Sequence, residues 1–329
     1  MTCARQPPYA YRILEILSGR QGRFCPWEDL AGSLGVHPKE ISQAVTALQR
    51  LGYPVEVHPT RGVHLRTGIE VVDRAAVANA LQTRALGRAL VWRLETASTN
   101  NLARVAALAG APHGTVIVAE HQTAGRGRLG RAWHSPPGVG LWCSVLLRPG
   151  IPARHAWVLT LGAAVAAAGA IEDVAGCQVD LKWPNDILFD GKKLAGILTE
   201  ARVEGNAMSF VVVGIGINVN QDLRDFPTDL RETAVSLKMA TGRPQRRTAL
   251  LPRLLHALEA VYAEPSPERV CRLWKARCST LGREVRVSIG DERVAGVAED
   301  ISQDGELILC QTDGVRRAVS AGDVVLLRK

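Results

Sequence analysis

The stretch from residue 125 to residue 131 alternates glycine with arginine, and its residue types point directly to phosphate chemistry. Glycine lets a backbone approach a ligand closely, and arginine carries a fixed positive charge with forked donors that match phosphate. The candidate binding residues of this loop are Gly125, Arg126, Gly127, Arg128 and Arg131. Taken alone, the pattern also fits a solvated linker or a nonspecific RNA contact. Its flanks, an apolar run at 116–119 and Trp133, favour a loop of a folded domain that closes over a nucleotide.

A second polar motif, Lys-Trp-Pro-Asn-Asp at 182–186, lies between two apolar runs and precedes Lys193 by a few residues. Local hydrogen bonding by Asn185 and Asp186 beside Pro184 would make it no more than a capped turn. Lys193, however, enters the apolar run Leu-Ala-Gly-Ile-Leu, where a cation is unfavourable unless an anion pairs with it. The pattern therefore predicts an anionic partner for Lys193.

Ser98, Thr99 and Asn100 follow an apolar run at 91–94 and precede a helical pattern. A serine or threonine at that position is suited to cap the helix, which is the simpler interpretation of the motif. A helix N-terminus also directs amide donors and hydroxyl groups outward, so the same residues are able to hold a polar ligand group. The residues themselves leave both interpretations open.

Gly214 and Gly216 alternate within the apolar run that ends at Asn218. No third glycine follows and no helix begins here, so the dinucleotide-binding fingerprint does not apply. Alternating glycines in an apolar strand instead predict that another group packs against the backbone. Asn218 adds an amide donor and acceptor at the end of this strand.

The first 67 residues contain three helical patterns, at 11–17, 27–34 and 37–51, followed by extended runs at 53–58 and 62–66. This order predicts a winged helix-turn-helix DNA-binding domain at 1–67. The residues expected to face DNA are Lys39, Ser42, Gln43, Thr46 and Arg50, with Arg61 on the wing. Glu40 would repel phosphate, so a retained domain with weak DNA affinity is the alternative.

The rest of the chain predicts two further domains, which makes an α+β multidomain protein. A linking helix is expected at 68–90, and apolar strands alternate with helices and glycine-rich loops up to residue 278, which predicts a mixed α/β domain at 68–278. Five short strands separated by Gly-Asp and Asp-Gly turns then predict a small SH3-like β-barrel at 279–329.

The positive charge of the chain, +8 with a pI near 9.4, is concentrated in the middle. Residues 1–67 carry eight Lys and Arg against five Asp and Glu, whereas residues 279–329 carry seven against nine. An anionic small substrate accounts for the central excess at least as well as DNA does. Seven scattered cysteines without a CxxC pair predict free thiols in a reducing cytoplasm. The apolar run at 158–171 is too short to span a bilayer and predicts a buried helix of a soluble protein.

In this order and spacing, the motifs at 98–100, 122–128, 182–186, 193–198 and 214–218 resemble those of the biotin protein ligases. The resemblance covers nearly the whole chain, and the combination of motifs is highly specific. It implies a catalytic domain related to class II aminoacyl-tRNA synthetases and lipoate ligases.

The resemblance also implies a role for each matching residue. Those around the biotin ring would be Ser98, Thr99, Asn100, Gln122, Gly196 and Gly214. Those around the adenylate would be Gly125, Arg126, Gly127, Arg128, Arg131, Trp133 and Asn218. Lys193 would pair with the biotin carboxylate or the α-phosphate, and Asp186 would lie near the phosphate and its Mg²⁺. The implied catalytic residues are therefore Arg126, Arg128, Lys193 and Asp186.

By the same resemblance, the protein would form biotinyl-AMP from biotin and ATP and transfer biotin to a lysine of a biotin carboxyl carrier protein, that of acetyl-CoA carboxylase or of a similar enzyme. Family members with the N-terminal domain also repress biotin-synthesis genes as homodimers, with biotinyl-AMP as corepressor, on biotin operator DNA. Two alternatives remain at this level. They are a lipoate or octanoate ligase, which shares the catalytic fold, and a transcription factor that senses biotin without turnover.

Overall fold

The computed structural model describes residues 9–20, 22–66 and 70–326, so the expected domain boundary at 67/68 lies outside the described residues. The N-terminal unit contains three helices, α1 (Ala10–Gly19), α2 (Trp27–Leu34) and α3 (Pro38–Arg50). A hairpin of β1 (Val55–His58) and β2 (Gly62–Leu65) follows them, with antiparallel pairing. The apolar faces of the helices meet in one core, whose fully buried members include Ile13, Leu14, Leu17, Leu30, Ile41 and Leu48.

Local signals explain why α2 and α3 are separate helices. Gly35 ends α2 in the left-handed conformation, with φ at +64°, which glycine adopts without strain. Pro38 opens α3, where its missing N–H is not needed. The His37 ring accepts a hydrogen bond from the Lys39 backbone, and the Glu40 carboxylate accepts one from the His37 backbone. Glu40 is therefore engaged in capping α3.

The expected linking helix at 68–90 is wrong in extent, because among the described residues 70–90 only α4 (Arg74–Ala80) is an α-helix. Asp73 caps the N-terminus of α4 through the backbone N–H of Ala76. Beyond Ala80, the Glu259 carboxylate accepts hydrogen bonds from the backbone N–H groups of residues 84–86. These N–H groups therefore do not donate to carbonyls of a continued helix. A tertiary contact thus prevails over the helical periodicity of the sequence.

The central domain is built on a seven-stranded mixed sheet with the strand order β3-β4-β5-β9-β8-β7-β6. β3 and β4 are parallel, and every other neighbouring pair in this sheet is antiparallel. The strands are β3 (Leu90–Thr96), β4 (Val116–Gln122), β5 (Gly140–Leu147), β6 (Asp180–Lys182), β7 (Asp186–Phe189), β8 (Lys192–Glu204) and β9 (Ala207–Asn218). The helices are α5 (Thr99–Leu108), α6 (Ala156–Ala175), α7 (Leu237–Thr241), α8 (Arg247–Tyr262) and α9 (Pro267–Lys275).

The long apolar helix α6 forms the centre of this domain's core. Together with the preceding turn, the stretch Ala153–Ala175 is long and apolar enough to cross a membrane by length and composition. However, 72% of its most apolar stretch of 18 residues is buried inside the protein. It packs against α8, α9 and the sheet. Its composition is therefore that of a core helix, as the sequence predicted.

The C-terminal unit is a five-stranded antiparallel sheet with the order β13-β12-β11-β10-β14. Its strands are β10 (Glu284–Ile289), β11 (Glu292–Ile301), β12 (Leu307–Cys310), β13 (Arg316–Val319) and β14 (Asp323–Leu326). The buried residues of this sheet belong to the same apolar cluster as those of the central domain. Trp183 reaches across and donates its indole N–H to the Gly305 carbonyl at 3.1 Å. The C-terminal sheet is therefore firmly docked beside the motif at 182–186.

The N-terminal unit contacts the central sheet through a buried cluster of charges. The Arg247 side chain at the start of α8 is 2% exposed and donates to Glu120 of β4 at 2.7 Å and to the Gly140 carbonyl at 3.2 Å. Tyr11 of α1 donates to the same Glu120 carboxylate at 3.2 Å. Burial disfavours the charge of Arg247, but Glu120 and Glu70 outweigh it and raise its pKa. The pairing thus keeps the cation charged at the junction of the two units.

Candidate active site

Four parts of the central domain surround a cavity of about 280 Å³. They are the N-terminus of α5, the loop between β4 and β5, the start of β7, and the paired strands β8 and β9. The residues assigned to the site from the sequence that line this cavity are Ser98, Thr99, Asn100, Gln122, Arg126, Gly127, Arg128, Arg131, Trp133, Asp186, Lys193, Gly196, Gly214 and Asn218. Five motifs that are far apart in sequence therefore meet around one space.

One end of the cavity is a network of uncharged polar groups at the start of α5. The Thr99 backbone N–H donates to Gln122 Oε1 at 2.9 Å, and Gln122 Nε2 donates to the Ser135 hydroxyl at 2.9 Å. The hydroxyl of Ser144, which is fully buried on β5, lies 2.7 Å from Thr99 Oγ1. Ser98 occupies the cap position of α5 but makes no side-chain capping bond. The simple capping interpretation therefore does not account for this motif.

The Asn100 side chain is fixed by neighbours on three strands. Its Oδ1 lies 2.6 Å from the Ser144 hydroxyl, and its Nδ2 donates to the Leu198 carbonyl at 3.2 Å and to Glu200 Oε2 at 2.7 Å. A Cβ added to Gly214 would lie 2.2 Å from Asn100 Oδ1. Gly214 is thus required because the Asn100 amide packs against its backbone, as the alternation of glycines predicted.

The loop at 125–131, called the Gly-Arg loop below, brings its arginines to the rim of the cavity, and each arginine has a hydrogen-bond or ion-pair partner. Arg126 donates to Asn101 Oδ1 at 2.6 Å and to Glu200 Oε1 at 3.2 Å. Arg128 donates to Asn185 Oδ1 and to the Gly322 carbonyl, both at 3.4 Å. Burial lowers the pKa of Arg128 from its ordinary high value, which leaves the side chain a cation at neutral pH.

The last arginine of this loop ties it to the C-terminal sheet. Arg131 forms an ion pair with Asp323, the first residue of β14. Within the loop, Leu129 adopts a positive φ of 54° and the residue is 70% exposed. A positive φ is unfavourable for leucine and needs support from its surroundings. The contacts to Asn101, Gly322 and Asp323 supply anchors on both sides of this turn.

Trp133 covers the floor of the cavity where two strands lack side chains. A Cβ added to Gly216 would lie 2.5 Å from its indole Nε1, and one added to Gly196 would lie 3.1 Å from its ring. The ring also packs edge-on against Trp142, with centroids 6.4 Å apart. Gly196 and Gly216 therefore make room for the indole, which leaves its buried N–H without a hydrogen-bond partner.

Lys193 and Asp186 face each other across the β7–β8 pair. Their side chains form an ion pair of 2.6 Å, and the Lys193 ammonium lies 5.3 Å from the centre of the Trp133 ring. The anionic partner predicted for Lys193 is, in this structure, Asp186. Burial lowers the pKa of the neighbouring Lys182, and the positive charges of Lys193 and Arg131 act in the same direction. The region concentrates positive charge that an anionic ligand would relieve.

The polar atoms of Asn218 and Asn185 are largely occupied by the protein. Asn218 Nδ2 donates to the carbonyls of Val235, at 3.1 Å, and Lys193, and its Oδ1 accepts from Gln221. Asn185 Nδ2 donates to the Ile197 carbonyl at 2.7 Å. Gly125 does not line the cavity, because its Cα faces the Trp133 carbonyl, 2.5 Å from where a Cβ would lie. Asn185 and Asn218 are therefore wall residues of the cavity, and Gly125 lets the loop pass close to the Trp133 backbone.

Several cavity residues escaped the sequence-based assignment. They are Ala132, His134, Cys143, Asn185, Ile197, Leu198, Ile215, Gly216, Phe226, Leu230, Thr233, Ala234 and Asp323. Gly216 and Asn185 lie within motifs that were recognised, whereas the segment at 226–234 and Asp323 carry no local signal. Cys143 is a free thiol, and burial raises its pKa to about 12, so it is a wall residue without reactive thiolate.

The residues expected to face DNA lie on the surface of the N-terminal unit. The exposed side chains of α3 include Lys39, Ser42, Gln43, Thr46 and Arg50. Arg61, in the turn between β1 and β2, is exposed and stacks over the Phe24 ring at 4.1 Å. One face of α3 and the tip of the hairpin are therefore free to meet a partner.

Two known protein families match parts of the chain. Residues 94–218 match the Biotin/lipoate A/B protein ligase family, and residues 280–327 match the Biotin protein ligase C terminal domain. The chain is 35% identical to the Bifunctional ligase/repressor BirA of Bacillus subtilis over 94% of this chain and 96% of that protein. The chain therefore belongs to the biotin protein ligases and is an enzyme of that class.

Two further relatives match about three quarters of this chain. The Biotin--[acetyl-CoA-carboxylase] ligase of Mycobacterium tuberculosis is 37% identical over 76% of this chain and 95% of that protein. The structure of the biotin protein ligase from Aquifex aeolicus in complex with biotin and ATP superposes with a TM-score of 0.60 at 30% identity, over 74% of this chain and all of that one.

Proposed function

We propose that the cavity binds biotin at the α5 end and ATP at the Gly-Arg end, and that the enzyme joins them to form biotinyl-AMP. The observation that carries this proposal is the polarity of the cavity. An uncharged hydroxyl and amide network lines the cavity at the start of α5, and the cations of Arg126, Arg128, Arg131 and Lys193 line the same cavity. The Aquifex aeolicus ligase, which is similar over its whole length, was determined with biotin and ATP.

In the first step, a carboxylate oxygen of biotin attacks the α-phosphorus of ATP, and the bond from that phosphorus to the pyrophosphate oxygen breaks. Both reactants are anionic, so the protein must offset their repulsion and hold them in line. Lys193 lines the cavity, and its ion pair with Asp186 orients the ammonium. Arg126 and Arg128 approach from the loop and meet the charge of the phosphates.

In the second step, a lysine amine of the acceptor protein attacks the acyl carbon of the mixed anhydride. The carbon–oxygen bond to phosphate breaks, AMP leaves, and the amine loses a proton as the amide forms. We infer that the acceptor is a biotin carboxyl carrier protein, because relatives are named for ligation to acetyl-CoA carboxylase. A closed Gly-Arg loop protects the anhydride from water before this step.

The proposal gives each of these cavity residues a role. Thr99, Asn100, Ser98 and Gln122 would contact the polar ring of biotin, whereas Trp133 would cover the adenylate. Asp186 fits a Mg²⁺ ion that arrives with the triphosphate, because Mg²⁺ commonly uses one or two carboxylates together with substrate phosphates. Within the described residues, no cluster of three or more metal-ligating side chains exists that would hold a metal by itself. Bound Mg²⁺ would supply further charge neutralisation.

The test compares Lys193→Ala and Arg128→Ala with wild type in pyrophosphate release from biotin and ATP. We expect both to slow release by a factor of about 100 or more, the effect of losing one preorganised charge-stabilising group. Arg253→Ala, which breaks an exposed ion pair with Asp173, is the matched control. Unchanged release in the site variants would refute the assignment. Lipoate in place of biotin distinguishes a lipoate ligase, and the absence of turnover would indicate a sensor.

We further propose that residues 1–67 form a winged helix-turn-helix domain and that the protein represses transcription as a homodimer with biotinyl-AMP. The exposed face of α3 and the name of the Bacillus subtilis relative support this role. The capping contact of Glu40 weakens the objection that it repels phosphate. Domains at 68–278 and 279–329, the latter an SH3-like barrel, complete the proposed organisation.

An electrophoretic shift with biotin operator DNA tests the repressor role, with and without biotinyl-AMP. Binding that requires the ligand and is lost in Lys39→Ala/Arg50→Ala supports it. Equal shifts with operator and unrelated DNA would contradict it, since specific sites bind at least about 1000-fold more tightly.

A further inference from the structure

Glu200 on β8 lies outside the lining of the cavity, yet it contacts Asn100 of α5 and Arg126 of the Gly-Arg loop, which both line it. Its Oε2 accepts a hydrogen bond from Asn100 Nδ2 at 2.7 Å. Its Oε1 accepts one from Arg126 Nη2 at 3.2 Å, and Arg126 also donates to Asn101. One carboxylate thus connects the polar network of α5 to the Gly-Arg loop.

A carboxylate at this place is unexpected on electrostatic grounds. The site must gather two anionic substrates, and a negative charge beside Arg126 opposes that. Glu200 is partly exposed, at 37% of its side chain, so burial of a structural ion pair does not explain it either. Its contribution must come from where it holds its two partners.

We propose that Glu200 is a positioning residue, which orders Arg126 for the nucleotide and fixes the Asn100 amide for biotin. Glycines at 125, 127 and 130 make the loop costly to order, and an arginine anchored before binding reduces that cost. Asn100 is 4% exposed, and the carboxylate dictates that its NH₂ group, and not its oxygen, points toward β8. This proposal rests on the assignment of the two ends of the cavity to biotin and ATP.

The two contacts respond differently to Glu200→Gln. Asn100 and Arg126 both donate hydrogen bonds to Glu200, so each needs an acceptor oxygen. A glutamine offers only one oxygen, together with one NH₂ group that is itself a donor. The buried Asn100 amide loses more when left without an acceptor than the exposed Arg126 does. The glutamine oxygen is therefore expected to face Asn100, which places its NH₂ group against the Arg126 guanidinium. Glu200→Gln thus removes the loop contact alone, and Glu200→Ala removes both.

The experiment measures pyrophosphate release by the full chain, with ATP varied at saturating biotin and then biotin varied at saturating ATP. For Glu200→Gln, we expect the KM for ATP to rise about tenfold, the factor that one charge-assisted hydrogen bond contributes. Its KM for biotin stays near wild type. For Glu200→Ala, both KM values rise. Glu299→Gln, which alters an ion pair with Arg316 on the C-terminal sheet, is the matched control and leaves both unchanged.

A double-mutant cycle separates positioning from a general structural role. If Glu200 acts through Arg126, Glu200→Gln adds no further rise in the KM for ATP once Arg126→Ala is present. Full additivity, or equal changes in the two KM values for Glu200→Gln, would overturn the proposal, as would wild-type kinetics in Glu200→Ala. Thermal melting of each variant checks the fold. A wild-type chain without pyrophosphate release from biotin and ATP would instead refute the proposed function.

Discussion

Gly214→Ala is expected to weaken biotin binding by displacing the Asn100 side chain. The added Cβ would lie 2.2 Å from Asn100 Oδ1 and 2.9 Å from its Cγ, whereas ordinary contacts begin at 3.4 Å. The backbone of Gly214 lies outside the left-handed region, so alanine is not strained there. The whole effect of the substitution therefore falls on the neighbouring amide.

The size of the effect follows from the hydrogen bonds that Asn100 would lose. Its amide is held at 2.6 Å by Ser144, at 2.7 Å by Glu200 and at 3.2 Å by the Leu198 carbonyl. A retreat large enough to relieve the overlap breaks at least two of these contacts. Two net hydrogen bonds correspond to about 1–3 kcal/mol, which is roughly a 5–150-fold rise in the KM for biotin.

The assay is the initial rate of pyrophosphate release with biotin varied at saturating ATP. Gly169→Ala is the matched control, because a Cβ there, within α6, meets no heavy atom within 4 Å. In an Asn100→Ala background, Gly214→Ala should have no further effect, since the group with which it collides is gone. An unchanged KM for biotin in Gly214→Ala, in protein that melts like wild type, would refute this reasoning.

Three further predictions concern the junction, the loop before β3 and Trp133. Glu120→Ala leaves Arg247 buried without its closest anion. We therefore expect the free energy of unfolding in urea to fall by about 3–5 kcal/mol, whereas Glu299→Ala, at an exposed ion pair, changes it by less than about 1 kcal/mol. Similar small losses in both variants would show that the buried pair is not needed for stability. Burial acts to raise the pKa of Glu259, but backbone N–H groups of Arg84, Leu86 and Ala85 outweigh it and lower that pKa below 4.5. Because the folded-state pKa is lowered, the carboxylate of Glu259 stabilises the fold above about pH 4.5, and this stabilisation is lost as the pH falls further. The melting temperatures of wild type and Glu259→Gln should therefore differ at pH 7 and converge in acid. A difference that stays constant with pH would contradict this reasoning. Gly216→Ala would place a Cβ 2.5 Å from Trp133 Nε1, and we expect a higher KM for ATP with little change in the KM for biotin, which steady-state kinetics with each substrate varied will decide.

The sequence predicted much of the site because its motifs are local and each has a physical signature. Alternating glycines indicated a close neighbour against β9, and that neighbour is Asn100 at Gly214 and Trp133 at Gly216. A lysine in an apolar run indicated an anionic partner, which is Asp186 in the structure. Helix starts at Pro38 and helix ends at Gly35 likewise depend on adjacent residues.

The sequence did not predict features that depend on residues distant along the chain. The expected helix at 68–90 already ends at Ala80 because Glu259, far along the chain, binds the backbone N–H groups of the segment that follows. Ser144 looks like any residue of an apolar strand until β5 places it beside Thr99.

By itself, the sequence determined the family, the motifs that line the cavity and the order of the strands, since these depend on residue types and on short spacings. Only the tertiary structure decided that Glu200 joins Asn100 to Arg126, that Asp323 anchors the Gly-Arg loop and that Arg247 meets Glu120 beneath the N-terminal unit. A charged residue carries no mark of its partner in the sequence, because the energy of an ion pair depends on distance and burial, and both are fixed only when the strands and helices pack together.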